Sequence, residues 1–359
     1  MTKIIDFSNC ELSPRNLEYG GRAGEKKGIV YKNSFWFLKF PKSTLGMDKI
    51  NGLSYVTSPL SEYIGSHIYK ILGYDVHDTE LGICFDGKRF KLVCACKDFI
   101  IDDKNELLIP YTALRNDTKP ELMEKRDSSL FGASNINEII FQLDNNTVLS
   151  NIPNAKERFW DVVVIDMLIN NNDRNNGNWG LLYDGEGLKI APVFDNGSSF
   201  SNKLPDEKLL KIFSSEERML VSSLGVMTAF GKDGRSYSFQ ELIKIGMNHP
   251  EFVCALKRNV PLIRSKMNDI IAFVECIPGE HKGIDVCSQI RKNFYIKAMM
   301  LRLDHILVPA LQQALNIKPS LSSVIKSCEC KREACIHKES PSTSKVQKDT
   351  KALNAERDR

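Results

Sequence analysis

The chain has no apolar run of roughly eighteen residues, the length that a membrane-spanning helix needs, so no membrane role is expected. Its first residues, Met1-Thr2-Lys3-Ile4-Ile5-Asp6, lack the apolar stretch of a secretory leader. The expectation is a protein made in the cytoplasm, for which any action outside the producing cell would need a leaderless route. A charge excess of either sign is also missing. Of 49 Lys and Arg and 45 Asp and Glu, nine and six fall from Ile325 onward, leaving 40 against 39 before it. A nucleic-acid-binding domain normally carries a strongly basic face, so direct nucleic-acid binding is not expected. The cysteines form no disulfide framework: Cys10, Cys84, Cys94, Cys96, Cys254, Cys276 and Cys287 are scattered, several in apolar runs, and read as reduced core residues. Cys328, Cys330, Cys335 and His337 are closely spaced, but their spacing matches none of the common zinc patterns.

What is present is a set of polar motifs in a particular order. Asn170-Asn171-Asn172-Asp173-Arg174-Asn175-Asn176-Gly177-Asn178 places an aspartate five residues before an asparagine. That is the spacing of the Asp-x-x-x-x-Asn catalytic loop of protein kinases, in which the Asp accepts a hydroxyl proton and the Asn helps to hold metal; the usual His-Arg before the Asp is absent. The bland alternative is a solvated turn, since Asn and Asp bond their own backbone readily. Trp179 to Tyr183 and Leu188 to Val193 flank the turn Asp184-Gly185-Glu186-Gly187 and read as a β-hairpin. Centring its pairing between Glu186 and Gly187 sets Asn178 across from Asp195, bringing one amide oxygen and one carboxylate together. Such a pair suits Mg²⁺, which prefers oxygen ligands and usually takes one or two carboxylates.

Upstream, Tyr19-Gly20-Gly21-Arg22-Ala23-Gly24-Glu25-Lys26-Lys27-Gly28 is a glycine-rich loop whose backbone N–H groups could approach phosphate oxygens. The strand Ser34 to Phe40 carries one charge, Lys39, inside an aromatic run, and burying a charge unpaired is expensive. Lys39 is therefore either a phosphate clamp with a partner or an edge lysine whose stem covers apolar surface. Ser58 as N-cap and Pro59 as first helical residue open a helix with Leu60, Ile64, Ile68, Ile71 and Leu72 on one face and Glu62 near its start. Glu62 can pair with a strand lysine, as in protein kinases, or sit on the surface favoured by the helix dipole.

The order of these pieces, from glycine-rich loop to Asp-x-Gly at Asp195-Asn196-Gly197, resembles the HipA-like kinases over about residues 15 to 315. The resemblance implies an α+β, two-lobed protein-kinase-like fold: a small β-rich N-lobe with one main helix over residues 1–97 and a larger, mostly helical C-lobe over 98–318. It implies ATP and Mg²⁺ as cofactors, a serine or threonine of a protein as acceptor, and autophosphorylation. By motif position it makes Asp173 the catalytic base and Asn178 and Asp195 the metal ligands. Gly21, Gly24 and Lys26 fall in the phosphate loop, Lys39 becomes the phosphate-binding lysine with Glu62 as its partner, and Cys96 to Phe99 becomes the hinge that offers backbone groups to adenine. Departures are equally visible. The family loop often holds a regulatory Ser, whereas Tyr19 stands in that place and no Ser occurs between Tyr19 and Tyr31. HipA carries an extra N-terminal segment before its loop and joins a DNA-binding partner; here the loop begins near residue 19, leaving no room for that module, so the persistence-toxin role is not expected.

With 359 residues and 42% hydrophobic content the chain can fill the cores of two lobes. Ala155 to Asn170 reads as a largely buried helix delivering the catalytic loop; Ile263 to Val274 reads as a second helix, and Val286 to Leu315 as one long helix or two short ones. The Ser- and Gly-rich stretch from Ser198 to Ser238 reads as a loop, for activation, docking or neither. Residues 319–359, rich in Ser, Lys and Glu, read as a disordered tail. Two other functions fit the same motifs: an ATP-binding pseudokinase acting as an interaction platform, and a phosphotransferase for lipids or other small molecules.

Overall fold

The computed structural model describes residues 2–16, 26–41, 57–100, 106–115 and 133–316. Strands β1 (Ile5–Asp6), β2 (Lys26–Tyr31), β3 (Ser34–Lys39), β4 (Thr79–Phe85) and β5 (Phe90–Lys97) form a sheet in the order β1-β4-β5-β3-β2, antiparallel except for β1 beside β4. Alternation along the strands sorts their side chains. Ile29, Trp36, Leu38, Val93 and Ala95 pack with Phe7 on one face. Leu81, Ile83, Cys94 and Cys96 meet Leu60, Ile64 and Ile68 of helix α1 (Ser58–Ile71) on the other. Lys39 lies in register with both Lys26 and Cys94, so the lysine belongs to the face that α1 covers. The α1 N-cap is Thr57 rather than Ser58, which is already helical, and no side chain caps the helix.

Beyond β5 come β6 (Leu107–Pro110), the single turn α2 (Tyr111–Leu114), β7 (Ser134–Asn135) and α3 (Ile136–Asn145), whose Asn137 and Glu138 N–H groups bond the Asn135 side chain. Helix α4 (Ala155–Ile169) follows, then the hairpin β8 (Gly180–Tyr183) and β9 (Leu188–Ile190). Buried residues surround α4 on nearly every side, including Phe159, Trp160, Val164, Ile165, Leu168 and Ile169, which makes it the axis of the helical core. Tyr183 opposes Leu188 in the hairpin, so the pairing centres between Gly185 and Glu186, one residue before the expected centre. The strands therefore do not set Asn178 opposite Asp195.

The stretch after Asp195 is not an open loop. It folds into α5 (Asp206–Phe213), α6 (Glu216–Leu224) and the antiparallel pair β10 (Met227–Lys232) and β11 (Arg235–Ser238). Ser238 and Glu241 form a reciprocal capping box at the start of α7 (Phe239–Gly246). The expected helix at Ile263 to Val274 is the second half of a longer one, α8 (Pro250–Glu275). A short hairpin, β12 (Glu280–His281) and β13 (Ile284–Asp285), precedes α9 (Gln289–Arg302), which passes through a π-helical turn at Leu303–Leu307 into α10 (Val308–Asn316). Among the described residues no helix is long and apolar enough to cross a membrane. The described cysteines are all free, and Cys276 is exposed rather than in the core. Residues 319–359, with their Cys and His, lie outside the described residues.

Gly82 tests how β1 docks. A Cβ there would come within 2.2 Å of the Ile5 carbonyl oxygen and 2.3 Å of the buried Phe7 ring. Gly82→Ala is expected to push β1 off the sheet and cost about 1–3 kcal/mol, read as a lower urea midpoint at unchanged slope.

Candidate functional site

Lys39 Nζ donates to Glu62 Oε2 and to Asp195 Oδ1, both at 2.8 Å. One ammonium thus joins the sheet, helix α1 and the segment after the hairpin. Glu62 is fully buried, and a buried carboxylate is tolerable only when paired and hydrogen-bonded. Burial pushes its carboxyl upward, but Lys39 and His77 outweigh that and hold it well below the usual carboxylate range. For Lys39 burial acts downward, yet Asp195 and Glu62 keep its ammonium more strongly protonated than an ordinary lysine.

Residues Asp173 to Asn178 are placed by the end of α4. Asn170, at φ 53°, takes the left-handed conformation that Asn tolerates better than most residues and turns the chain out of the helix. Beyond it the loop does bond itself. Asn175 Nδ2 donates to Asp173 Oδ1 at 2.9 Å, and Asn178 Nδ2 donates to the Asp173 carbonyl at 2.7 Å. Among the described residues Asn178 Oδ1 and Asp195 Oδ2 meet no donor. Burial first, and then the neighbouring Asp195 charge, raise the Asp173 carboxyl above its ordinary value, against the lowering effect of bonds from Asn175 and Ser198.

Arg174 does what the hairpin register does not. Fully buried, its guanidinium donates to both oxygens of Asp166 at 2.8 and 3.1 Å, to the carbonyls of Asn178 and Phe194 at 3.1 and 2.5 Å, and to Asn196 Oδ1 at 2.7 Å. A single planar fork therefore holds Asn178 and the Phe194–Asn196 segment together. Asn196 Nδ2 in turn donates to Ser66 Oγ on α1 at 3.1 Å. Ser66 Oγ lies 3.1 Å from His77 Nε2, which is 2.8 Å from Glu62 Oε1. His77, Ser66, Arg174, Asp166 and Asn196 were not singled out from the sequence. The sequence does offer Arg174 inside the Asn-rich loop, but nothing local distinguishes His77 or Ser66.

Small residues let α1 and the Asp195–Gly197 segment meet. A Cβ at Gly65 would lie 2.8 Å from Asn196 Cβ, and one at Gly197 would lie 3.2 Å from Glu62 Oε2. Lys26 shares the Lys39 face, with Nζ 5.5 Å from the Phe37 ring centre; burial and then the Lys39 charge lower its pKa. The Cys96 side chain is buried on the α1 side near Glu62 and His77, so only its backbone is available on the other side of the strand. Phe99 lies just past β5, its ring 6.0 Å from that of Phe194, and borders a cavity of about 580 Å³ with Phe35, Lys97, Ile100 and Pro192. Gly21 and Gly24 lie outside the described residues.

Known proteins resemble this chain in sequence and fold. The serine/threonine-protein kinase CtkA of Helicobacter pylori strain J99 is 30% identical over 318 residues, covering 87% of this chain and 89% of CtkA. The chain belongs to the family of the serine/threonine-protein kinase CtkA. The crystal structure of a Helicobacter pylori proinflammatory kinase CtkA matches this CtkA-like kinase with a TM-score of 0.72 at 26% identity, over 88% of this chain and 100% of that one. HipA of Shewanella oneidensis MR-1, solved with HipB and operator DNA, matches with a TM-score of 0.50 at 12% identity over 86% and 70% of the chains, a likeness of fold alone. No protein-family profile matches the chain.

Lys39→Met leaves Glu62 buried without its ammonium and is expected to cost about 3–5 kcal/mol in denaturant unfolding. The depressed Glu62 carboxyl contributes stability that is fully present above its ordinary 4.5 and is lost as pH falls toward the lower native value. Stability below pH 4.5 should therefore fall less steeply in Lys39→Met than in the parent protein.

Proposed function

We propose that this CtkA-like kinase transfers the γ-phosphoryl group of ATP to a serine or threonine hydroxyl of a protein. Its two lobes, residues 1–97 and 98–318, would enclose the nucleotide. The observation that carries the reading is the Lys39 ammonium shared between Glu62 and Asp195, because it brings the phosphate-binding cation beside the metal-binding carboxylate.

In this reading Lys39 neutralises phosphate oxygens, Glu62 holds Lys39 in place, and Lys26 adds a second positive charge from the adjacent strand. Gly21 and Gly24 offer backbone N–H groups to the phosphates. Adenine lies against the backbone of the Cys96–Phe99 run. Asn178 and Asp195 would hold Mg²⁺, and the fit is good: both keep an oxygen without a donor among the described residues, and a hard ion takes such oxygens. When bound, the ion would supply charge neutralisation to the phosphate oxygens. Asp173 accepts the acceptor's hydroxyl proton as that oxygen bonds to the γ-phosphorus and ADP leaves. A carboxyl pKa raised toward the working range suits a base that must take up a proton and later release it.

Purified protein incubated with labelled ATP and Mg²⁺ and a protein acceptor tests this. Asp173→Asn is expected to lower transfer by about 10²–10⁴-fold while nucleotide affinity, measured by calorimetry, is retained. Equal transfer by both proteins would remove Asp173 as base. The acid limb of the parent's rate profile should lie above the ordinary aspartate value of 3.8, with transfer falling as Asp173 takes up its proton.

A further inference from the structure

One hydroxyl already occupies the place of an acceptor. Ser198 Oγ donates to Asp173 Oδ2 at 3.3 Å, while Asn175 takes the other carboxylate oxygen. Catalytic hydrogen bonds are commonly this long before substrate is bound and shorten in the reacting complex. Ser198 is three residues past Asp195, on a segment tied down on both sides. The Ser199 N–H donates to the Asn196 carbonyl at 3.2 Å and the Phe200 N–H to the Ile169 carbonyl at 3.0 Å. Ser61 Oγ donates to the Ser199 carbonyl at 3.0 Å, and Asn202 Nδ2 donates to the Gly197 carbonyl at 2.5 Å. The hydroxyl is thus held against the base rather than visiting it. Ser199 is fully buried and offers no competing acceptor, whereas Ser198 is accessible.

We propose that Ser198 is a site of intramolecular phosphorylation and that its phosphorylation silences the enzyme. The inference rests on the reading of Asp173 as base. Ser198 Oγ bonds to the γ-phosphorus, the bond from that phosphorus to the β–γ bridging oxygen breaks, ADP departs, and the hydroxyl proton passes to Asp173. The product carries about −1.5 to −2 charges beside the Asp173 carboxylate, which already feels Asp195. It also fills the space that an external hydroxyl would need. Repulsion and occupancy act in the same direction, against a second acceptor. The competing role for the same hydrogen bond is orientation of Asp173 with no transfer to Ser198.

The full chain is incubated with Mg·ATP, with and without casein as acceptor, and phosphopeptides are sequenced by mass spectrometry. Phosphate is expected on Ser198 in the parent and not in Asp173→Asn, at a rate per molecule that is unchanged on dilution. Transfer to casein should fall in proportion to the fraction of Ser198 modified. Ser198→Thr should become phosphorylated at the same position and decline likewise, while Ser198→Ala should hold its starting rate after preincubation with Mg·ATP. Phosphate on casein with Ser198 unmodified would overturn this inference alone and leave the hydroxyl with an orienting role. Modified Ser198 with undiminished transfer would overturn the silencing. Absence of transfer to any acceptor by the parent would remove the proposed function, and this inference with it.

Discussion

The structure turns on a carboxylate placed where no carboxylate can survive alone. Glu62 sits in the apolar interface between helix α1 and the sheet, and its two oxygens are taken by different groups, Lys39 on one side and His77 on the other. Either bond alone leaves an oxygen of a buried charge under-satisfied, which costs more than the bond itself contributes. Both must form together, and each draws a different part of the chain inward. Lys39 brings the third strand and, through its second bond, Asp195. His77 brings the stretch between α1 and β4, whose backbone pairs with the residues just before Asp195: the His77 N–H donates to the Val193 carbonyl and the Val193 N–H to the Asp75 carbonyl.

Arg174 plays the matching part below. Its charge is buried against Asp166 at the end of α4, and its remaining donors go to backbone and amide oxygens of two segments distant in sequence. The two buried ions are joined by Asn196, Ser66 and His77, so one polar chain runs from the sheet to the loop after α4. Networks of this kind hold geometry well because no member can relax without leaving another unsatisfied.

The parts that could be read from the sequence are those set by local rules. Strand alternation, the apolar face of α1, the largely buried α4 and the Asp173–Asn178 spacing each depend on a short stretch, and each appears in the structure close to its expected limits. Errors came where a longer context decides. The hairpin register was off because the turn Asp184–Gly187 is closed by a bond from the Asp184 N–H to the Gly187 carbonyl, a detail that two glycines do not determine. Serine and glycine between Ser198 and Ser238 suggested a loop, yet Leu209, Met219, Phe230 and their neighbours reach the core and order that stretch into helices and a strand pair. His77 and Ser66 escaped notice because their importance comes entirely from contacts with residues far along the chain. The grouping of Lys39, Glu62 and Asp195 was legible only because the order of motifs resembles a known family.

The segment after Asp195 is fastened to α1 at several points along the helix. Thr57 bonds the Asn202 carbonyl, Ser61 bonds the Ser199 carbonyl, and Ser66 receives Asn196, while the two glycines allow the backbones to lie nearly in contact. Helix and segment consequently travel as one piece. A device that disables a phosphotransferase by swinging this helix outward, and with it the glutamate, would have to tear the segment from its seat at the same time. Such a displacement would break all of these bonds together.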